Sequence, residues 1–164
     1  MDKGLRELYL ASIKLYKERK DFEVILAGEI DNGNPMSASE EWLKTISQNK
    51  PIKWVGFVEE TSQLLFDSDV VILPSYHEGF SQSLLEAISM SKPIITTDVP
   101  GCRELLIGNG ILIKPKNVFD LKNAMNKMLN SKEQLLRMGR KSRELATKYD
   151  CIEINTQTIS FYKN

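Results

Sequence analysis

The chain has 164 residues, a length that predicts one domain with room for a sizeable core. Its 22 basic and 22 acidic side chains give a formal net charge of zero. The balanced charge lacks the basic excess typical of nucleic-acid-binding proteins, so no nucleic-acid partner is expected. Two isolated cysteines, Cys102 and Cys151, and a single histidine disfavour a zinc site and a disulfide framework, and favour a reducing, cytoplasmic location.

Apolar segments alternate with amphipathic ones along the chain. Residues with helical spacing predict helices, and short apolar runs bounded by turn residues predict strands. The predicted helices cover 4–18, 39–48, 60–67, 117–130, 132–148 and a terminal helix with Phe161 and Tyr162; the predicted strands cover 22–28, 52–57, 69–74, 92–97 and 110–113. This alternation predicts an α/β fold with a Rossmann-like, doubly wound parallel sheet. No G-x-G-x-x-G motif follows any strand, which disfavours a dehydrogenase.

The segment PSYHEGFSQSLLEA, residues 74–87, joins the central predicted strand to a helix. The first N–H groups of a helix have no internal partner and carry partial positive charge, so a strand–turn–helix unit of this kind binds anions. Gly79 has no Cβ to keep a phosphate away from the backbone, and Ser81 is a small residue that can cap the helix. The turn therefore predicts a phosphate-binding site.

Two carboxylates, Glu78 and Glu86, flank this predicted anion site. At about 1.5 Å rise per helical residue they lie roughly 8–10 Å apart, which is too far for two acids acting on one atom. The separation suits two hydroxyl-rich ends of one ligand with a diphosphate between them, because a carboxylate accepts hydrogen bonds from vicinal hydroxyls. The pattern points to a nucleotide sugar; the alternative is a buried turn with two solvated glutamates.

The pattern of Glu, seven residues and Glu, within P-S-x-x-E-G-F-x-x-x-x-L-E-A, resembles the signature of glycosyltransferase family 4, the retaining GT-B glycosyltransferases of group 1. The resemblance implies that Glu86 holds the ribose of the nucleotide and that Glu78 is the catalytic-site residue contacting the transferred sugar. It also implies that the backbone of Gly79, Phe80 and Ser81 contacts the donor phosphates and sugar.

Further donor contacts are implied by the same resemblance. Lys3 corresponds to a family lysine that contacts the diphosphate, although alone it would be an ordinary surface lysine. Phe57 and Val58 correspond to the segment against the nucleotide base, and a structural role for Phe57 stays open. Thr97 and Glu104 belong to the part that closes the far side of the donor pocket, where Glu104 could equally cap or brace its loop.

Asp67, Ser68 and Asp69 spell D-x-D, a motif that holds a metal and a diphosphate in another glycosyltransferase fold. Here the motif precedes a strand, whereas the ligands of open α/β sheets lie beyond the carboxyl ends of strands. We interpret the two acids as ending a helix and starting a strand. No metal or cofactor is expected.

The resemblance extends over nearly the whole chain but covers only the C-terminal, donor-binding half of a GT-B enzyme. We therefore expect a single nucleotide-sugar-binding domain over residues 1–164, with the N-terminal acceptor domain absent. The implied full-length enzyme transfers a hexosyl or N-acetylhexosaminyl group, with retention, from a nucleoside diphosphate sugar to a saccharide or glycolipid acceptor. It could associate peripherally with a membrane, and loose similarity of residues 28–59 and 97–104 to bacterial surface-polysaccharide and glycolipid transferases makes UDP the expected nucleotide.

Two alternatives remain open from the sequence. The chain could be a non-catalytic nucleotide-sugar-binding module, or part of a GT-B epimerase or glycoside phosphorylase of similar fold. The phosphorylase and the epimerase should show a pyridoxal-phosphate lysine or catalytic acids, which the sequence does not reveal.

The predicted sheet has one unusual feature. In this fold the strand order is 3-2-1-4-5-6. The first strand would precede Lys3 in the sequence and would lie between strands 22–28 and 69–74 in the sheet, and we expect it to be missing here. Unpaired backbone groups at a central gap would cost about 1–3 kcal/mol each. The two strands could close up, a strand from another copy could fill the slot, or the chain could be poorly stable. We expect direct parallel pairing, which would displace Lys3 from the phosphate site.

Overall fold

The computed structural model of the chain describes residues 2–30, 33, 37–48 and 50–149. The helices in these residues are α1 (Leu5–Glu18), α2 (Glu40–Ile46), α3 (Thr61–Asp67), α4 (Gln82–Ser89), α5 (Val118–Leu129) and α6 (Lys132–Ala146). The strands are β1 (Val24–Ala27), β2 (Ile52–Gly56), β3 (Val71–Leu73), β4 (Ile94–Thr97) and β5 (Gly110–Ile113), and single 3-10 turns lie at Arg103–Leu105 and Thr147–Tyr149. Each predicted element within these ranges is confirmed. The predicted terminal helix and Cys151 lie outside the described residues.

Side-chain caps determine where several helices begin. Ser39 accepts a hydrogen bond from the Trp42 N–H group at 3.2 Å, so this residue caps α2. Equivalent caps begin α4, α5 and α6, at Ser81, Asn117 and Ser131. Each cap satisfies one N–H group that the helix itself cannot pair, and is worth about 1 kcal/mol.

All strand pairs are parallel, as expected for a doubly wound α/β fold. β1 pairs with β2, and β3, β4 and β5 form a three-stranded sheet in that order. The expected direct pairing of strands 22–28 and 69–74 is wrong, because β1 and β3 lie in separate sheets.

The segment before α1, and not β1, is the neighbour of the chain that leaves β3. The Tyr76 N–H group donates to the Asp2 carbonyl at 2.7 Å, and the Ser75 hydroxyl donates to the same carbonyl at 3.2 Å. Gly4, at φ +67°, passes so close that a Cβ there would lie 2.0 Å from the Pro74 carbonyl oxygen. Only glycine fits this approach, so the beginning of the chain is held against the turn that follows β3.

Helices cover both faces of the sheets, since two apolar clusters lie on opposite sides of β4. Ile94 packs in one cluster and Ile95 in the other, as successive side chains of a strand must. On the Ile95 side α1 packs against α5, and on the Ile94 side α4 packs against α6. The fully buried Leu15, Leu84 and Leu121 anchor these layers. None of the helices in the described ranges has the length and apolar character needed to cross a bilayer.

Candidate functional site

A cleft of about 630 Å³ opens where β3 and β4 end, and it is lined by Tyr76, His77, Glu78, Gly79, Val99 and Pro100. The first four residues belong to the turn between β3 and α4, and the other two follow β4. Open α/β sheets bind their ligands beyond the carboxyl ends of the strands. The turn predicted to bind phosphate therefore lies where this fold places its ligand.

The turn presents an open glycine and a capped helix. Ser81 is buried and its hydroxyl accepts a hydrogen bond from the Leu84 N–H group at 3.3 Å, so the predicted cap of α4 is confirmed. Gly79 is exposed, and a Cβ built on it would contact no other part of the described protein within 4 Å. The space above Gly79 is therefore free for a ligand to approach the backbone.

Gly101, which the sequence did not single out, holds the loop after β4 directly over this turn. A Cβ on Gly101 would lie 2.4 Å from the Gly79 carbonyl oxygen and 2.6 Å from that of Glu78, and its φ is +82°. The Gly101 carbonyl accepts from the Ser81 N–H group at 3.3 Å. The Gly101 N–H group donates to the Glu104 carboxylate at 2.8 Å, so Glu104 braces the loop, as one of the two sequence interpretations had it.

Lys3 and Glu78 form an ion pair inside the site, with Nζ 2.6 Å from Oε1. The Glu78 side chain is 11% exposed and that of Lys3 is 61% exposed. The expected displacement of Lys3 from the phosphate-binding turn is thus wrong. Because Gly4 lets the chain pass close to Pro74, the lysine before it reaches the carboxylate of the turn.

Glu86 lies on α4 and faces the connection between β2 and α3. Its Oε2 atom accepts a hydrogen bond from the hydroxyl of Thr61, the first residue of α3, at 3.1 Å. Phe57 and Val58 belong to this connection; Phe57 is exposed and Val58 is half-buried. Thr61 was not predicted from the sequence as a partner of Glu86. The only indication was a hydroxyl residue at the start of a helix that follows a strand.

Buried hydroxyl groups support the ends of β3 and β4. Thr97 is 1% exposed, and its hydroxyl donates to the Ser75 carbonyl, so it does not open onto the cleft. The Thr96 hydroxyl donates to the Leu73 carbonyl at 2.9 Å. These bonds fix the two strand ends relative to each other, and the donor-binding role of Thr97 stays a prediction.

Two aromatic residues of the turn tie it to distant elements. The Phe80 ring centroid lies 5.7 Å from that of Tyr149, beyond the end of α6. The Tyr76 hydroxyl donates to the Glu7 carboxylate on α1, and Lys116 Nζ lies 4.9 Å from the Tyr76 ring centroid. Burial, helped by this carboxylate, raises the pKa of Tyr76 to about 12.

The D-x-D letters lie away from this site. Asp67 is the last residue of α3, where it accepts from Gln63 at 3.0 Å, and Ser68 caps the helix end, so the interpretation that Asp67 ends a helix is confirmed. Asp69 lies between α3 and β3, which begins at Val71. Across the described ranges, no group of three or more His, Cys, Asp or Glu residues could hold a metal.

Fold and site together define a Rossmann-like domain with a ligand cleft over a capped helix N-terminus. The chain belongs to the family described as glycosyl transferases group 1, which it matches over residues 1–145. It is 32% identical over 150 residues, 90% of its length, to the N,N'-diacetylbacillosaminyl-diphospho-undecaprenol alpha-1,3-N-acetylgalactosaminyltransferase of Campylobacter jejuni. Over 98% of its length it is 25% identical to a glycogen synthase of Mycobacterium tuberculosis. It spans 38% and 39% of these two relatives, about two fifths of their length.

Solved structures share the fold. HepE of Anabaena, crystallised in complex with UDP, superimposes with a TM-score of 0.84 at 24% identity, over 99% of this chain and 45% of HepE. The C-terminal domain of the group 1 protein LpcC of Francisella tularensis gives a TM-score of 0.77 at 22% identity, over 92% of this chain and 81% of that domain. The expected fold class, the C-terminal half of a GT-B fold, is confirmed.

Proposed function

We propose that the chain is the donor-binding half of a retaining glycosyltransferase that transfers a hexosyl or N-acetylhexosaminyl group from a UDP-sugar to a saccharide or glycolipid acceptor. One observation carries this proposal: Glu78 and the open backbone at Gly79 share a cleft of about 630 Å³ at the N-terminus of α4. Backbone N–H groups and the helix dipole there favour a diphosphate.

The nucleoside end of the donor is assigned to Glu86. Its carboxylate accepts from Thr61 at 3.1 Å, which aims it at the connection that carries Phe57 and Val58. A carboxylate has further lone pairs for ribose hydroxyls after accepting one bond. The base then lies against the backbone at Phe57 and Val58, and Thr61 keeps Glu86 in the required orientation.

The sugar end of the donor is assigned to Glu78, and the leaving diphosphate to Lys3. An ammonium group has three donors, so Lys3 can hold Glu78 at 2.6 Å and donate to a phosphate as well. Positive charge from Lys3 and from the N–H groups of α4 stabilises the charge that develops on the leaving UDP. This assignment needs no metal or cofactor, and Gly79, Phe80 and Ser81 supply the backbone around the phosphates.

The acceptor side of the reaction is assigned to a separate N-terminal domain. The Campylobacter jejuni relative is named as a transferase acting on a lipid diphosphate, and this supports a glycolipid acceptor. We place the enzyme in the cytoplasm, where nucleotide sugars are available. The 164-residue chain alone should not turn over, because proximity of donor and acceptor supplies a large part of the rate.

A thermal-shift panel of UDP-, GDP- and ADP-sugars tests the proposal, since a ligand that binds only the folded state raises the melting temperature. We expect UDP and UDP-sugars to stabilise the chain and the other nucleotides to do so less. A Gly79→Val variant, in which side-chain atoms fill the space above the turn, should fold and lose the shift. Absence of any shift or calorimetric heat with every nucleotide sugar at millimolar concentration would overturn the proposal.

A further inference from the structure

The zero net charge of the chain conceals a local excess of positive charge. Residues 132–149, which form α6 and the 3-10 turn after it, contain six basic residues and two acidic ones. The rest of the chain is therefore acidic on balance. Such separation along one helix is a feature of a surface that meets an anionic partner.

Three of these cations converge on a second cleft. Its volume is about 480 Å³, and it lies between α6 and the turn at Ile107 and Gly108, with Arg137, Lys141 and Lys148 around it. Arg137 and Lys141 share one side of α6, because they are four residues apart, and Lys148 reaches the same cleft from the 3-10 turn after the helix. No residue that lines this cleft also lines the cleft at Gly79.

The cations of this surface are largely free to bind. Arg137, Arg140 and Lys148 are exposed, and among the residues that the structure describes they form no ion pair or hydrogen bond through their side chains. Lys141 pairs with Glu144, but both side chains are more than half exposed, at 51% and 63%. An exposed pair of this kind is weak and exchanges readily with another anion.

Exposed apolar side chains lie among these cations. Ile107 and Leu136 are each 57% exposed, the first at the rim of the cleft and the second beside Arg137. Removing these apolar side chains from water is favourable, and a small soluble anion would not bury them. Cations mixed with exposed aliphatic side chains are instead typical of a helix that lies on the interface of a membrane. A single-stranded nucleic acid would call for exposed aromatic rings, and none of the residues around this cleft is aromatic.

We propose that this surface, which we call the basic face and define as Arg137, Arg140, Lys141, Lys148, Ile107 and Leu136, binds the anionic surface of a phospholipid bilayer. The cations contact lipid phosphates, while Ile107 and Leu136 enter the boundary between head groups and acyl chains. The inference does not depend on the donor site, because it uses other residues and another cleft.

Co-sedimentation with vesicles tests the basic face on the 164-residue chain. Vesicles of phosphatidylcholine with phosphatidylglycerol should bind the chain at low salt and release it at high salt, and vesicles of phosphatidylcholine alone should not bind it. Replacing Arg137, Lys141 and Lys148 together by Gln should weaken binding on the order of a hundredfold, at roughly fivefold for each cation near the surface. Leu136→Ser should weaken binding at low salt as well, because binding strength also depends on the apolar area that enters the membrane interface.

A matched control carries the same change of charge on α1 and α5, whose residues do not line this cleft. Lys14, Lys17 and Lys127 are exposed on α1 and α5, so their combined replacement by Gln should leave vesicle binding unchanged. Both triple variants should keep the melting temperature and the UDP response of the unmodified chain. No binding to anionic vesicles, or an equal loss in the control, would overturn the proposal. Binding of single-stranded RNA that the basic-face variant abolishes, with vesicle binding intact, would overturn it too.

Discussion

The Lys3 ammonium group lies 2.6 Å from the Glu78 carboxylate, although the two residues are 75 positions apart in the sequence. The pair joins the beginning of the chain to the turn between β3 and α4. It puts a cation beside a carboxylate that lines the cleft, where the diphosphate and the sugar of the proposed donor would meet.

Exchange of Lys3 tests the cationic half of this pair. Lys3→Gln should weaken UDP binding on the order of tenfold, because a hydrogen bond to a charged group is worth about 1.5–3 kcal/mol. Uridine, which has no phosphate, should bind equally to both proteins. Lys53→Gln is the control, since Lys53 is an exposed lysine of β2. Unchanged UDP affinity in titration calorimetry would mean that Lys3 interacts with Glu78 and not with the diphosphate.

The two carboxylates should differ in which ligand they affect. Glu86→Ala should weaken UDP and UDP-sugar about ten- to a hundredfold, because each loses a charged hydrogen bond to the ribose. Glu78→Ala should weaken only the UDP-sugar, since the diphosphate keeps Lys3. Calorimetric titration of both ligands into both variants measures this. If Glu78→Ala reduced the affinity for bare UDP as much as Glu86→Ala did, the proposed orientation of the donor would be reversed.

Thr61 should act on UDP through Glu86. Thr61→Val removes the hydroxyl that donates to Glu86 at 3.1 Å and should weaken UDP about three- to tenfold, less than the loss of Glu86 itself, because the carboxylate that meets the ribose remains. Thr61→Ser keeps the hydroxyl and should bind like the unmodified chain. In a double-mutant cycle, Thr61→Val should add little once Glu86 is already Ala. Fully additive losses would show that Thr61 does not work through Glu86.

Gly101 and Gly79 should respond in opposite ways to the same substitution. Gly101→Ala places a Cβ 2.4 Å from a backbone oxygen at a φ of +82°, so it should destabilise the fold by about 1–3 kcal/mol or more. Gly79→Ala meets no protein atom within 4 Å, so it should keep its stability and lose UDP affinity. Chemical denaturation and titration of the two variants separate these effects. Equal stability of both would show that the loop at Gly101 moves away without cost.

Tyr76 should make stability fall at alkaline pH. Its pKa is raised from 10.0 to about 12 in the folded chain. A raised pKa contributes stability that is fully present below pH 10 and is lost as the pH rises through about 12. Urea unfolding across this window should therefore show a steeper loss for the unmodified chain than for Tyr76→Phe. Parallel pH profiles would mean that neither burial nor the Glu7 carboxylate raises the pKa of Tyr76 in the folded chain.

The sequence by itself determined the elements and the residue pattern of the turn between β3 and α4, which we propose to bind the donor. Hydrophobic periodicity and capping residues act over a few neighbours, so the helix from residue 82 and its cap at Ser81 were predictable. Glu78, Gly79 and Glu86 were recognisable because these residues lie close together in the sequence, within residues 74–87.

Only the tertiary structure decided how distant segments meet. The approach of Gly101 to Gly79, the bond from Thr61 to Glu86 and the separation of β1 from β3 depend on how loops and sheets pack, which no local pattern encodes. The same holds for the basic face, where the turn at Ile107 and Gly108 meets α6. Contacts between residues far apart in sequence follow from the packing of the whole chain, whereas helices and turns follow from their own residues.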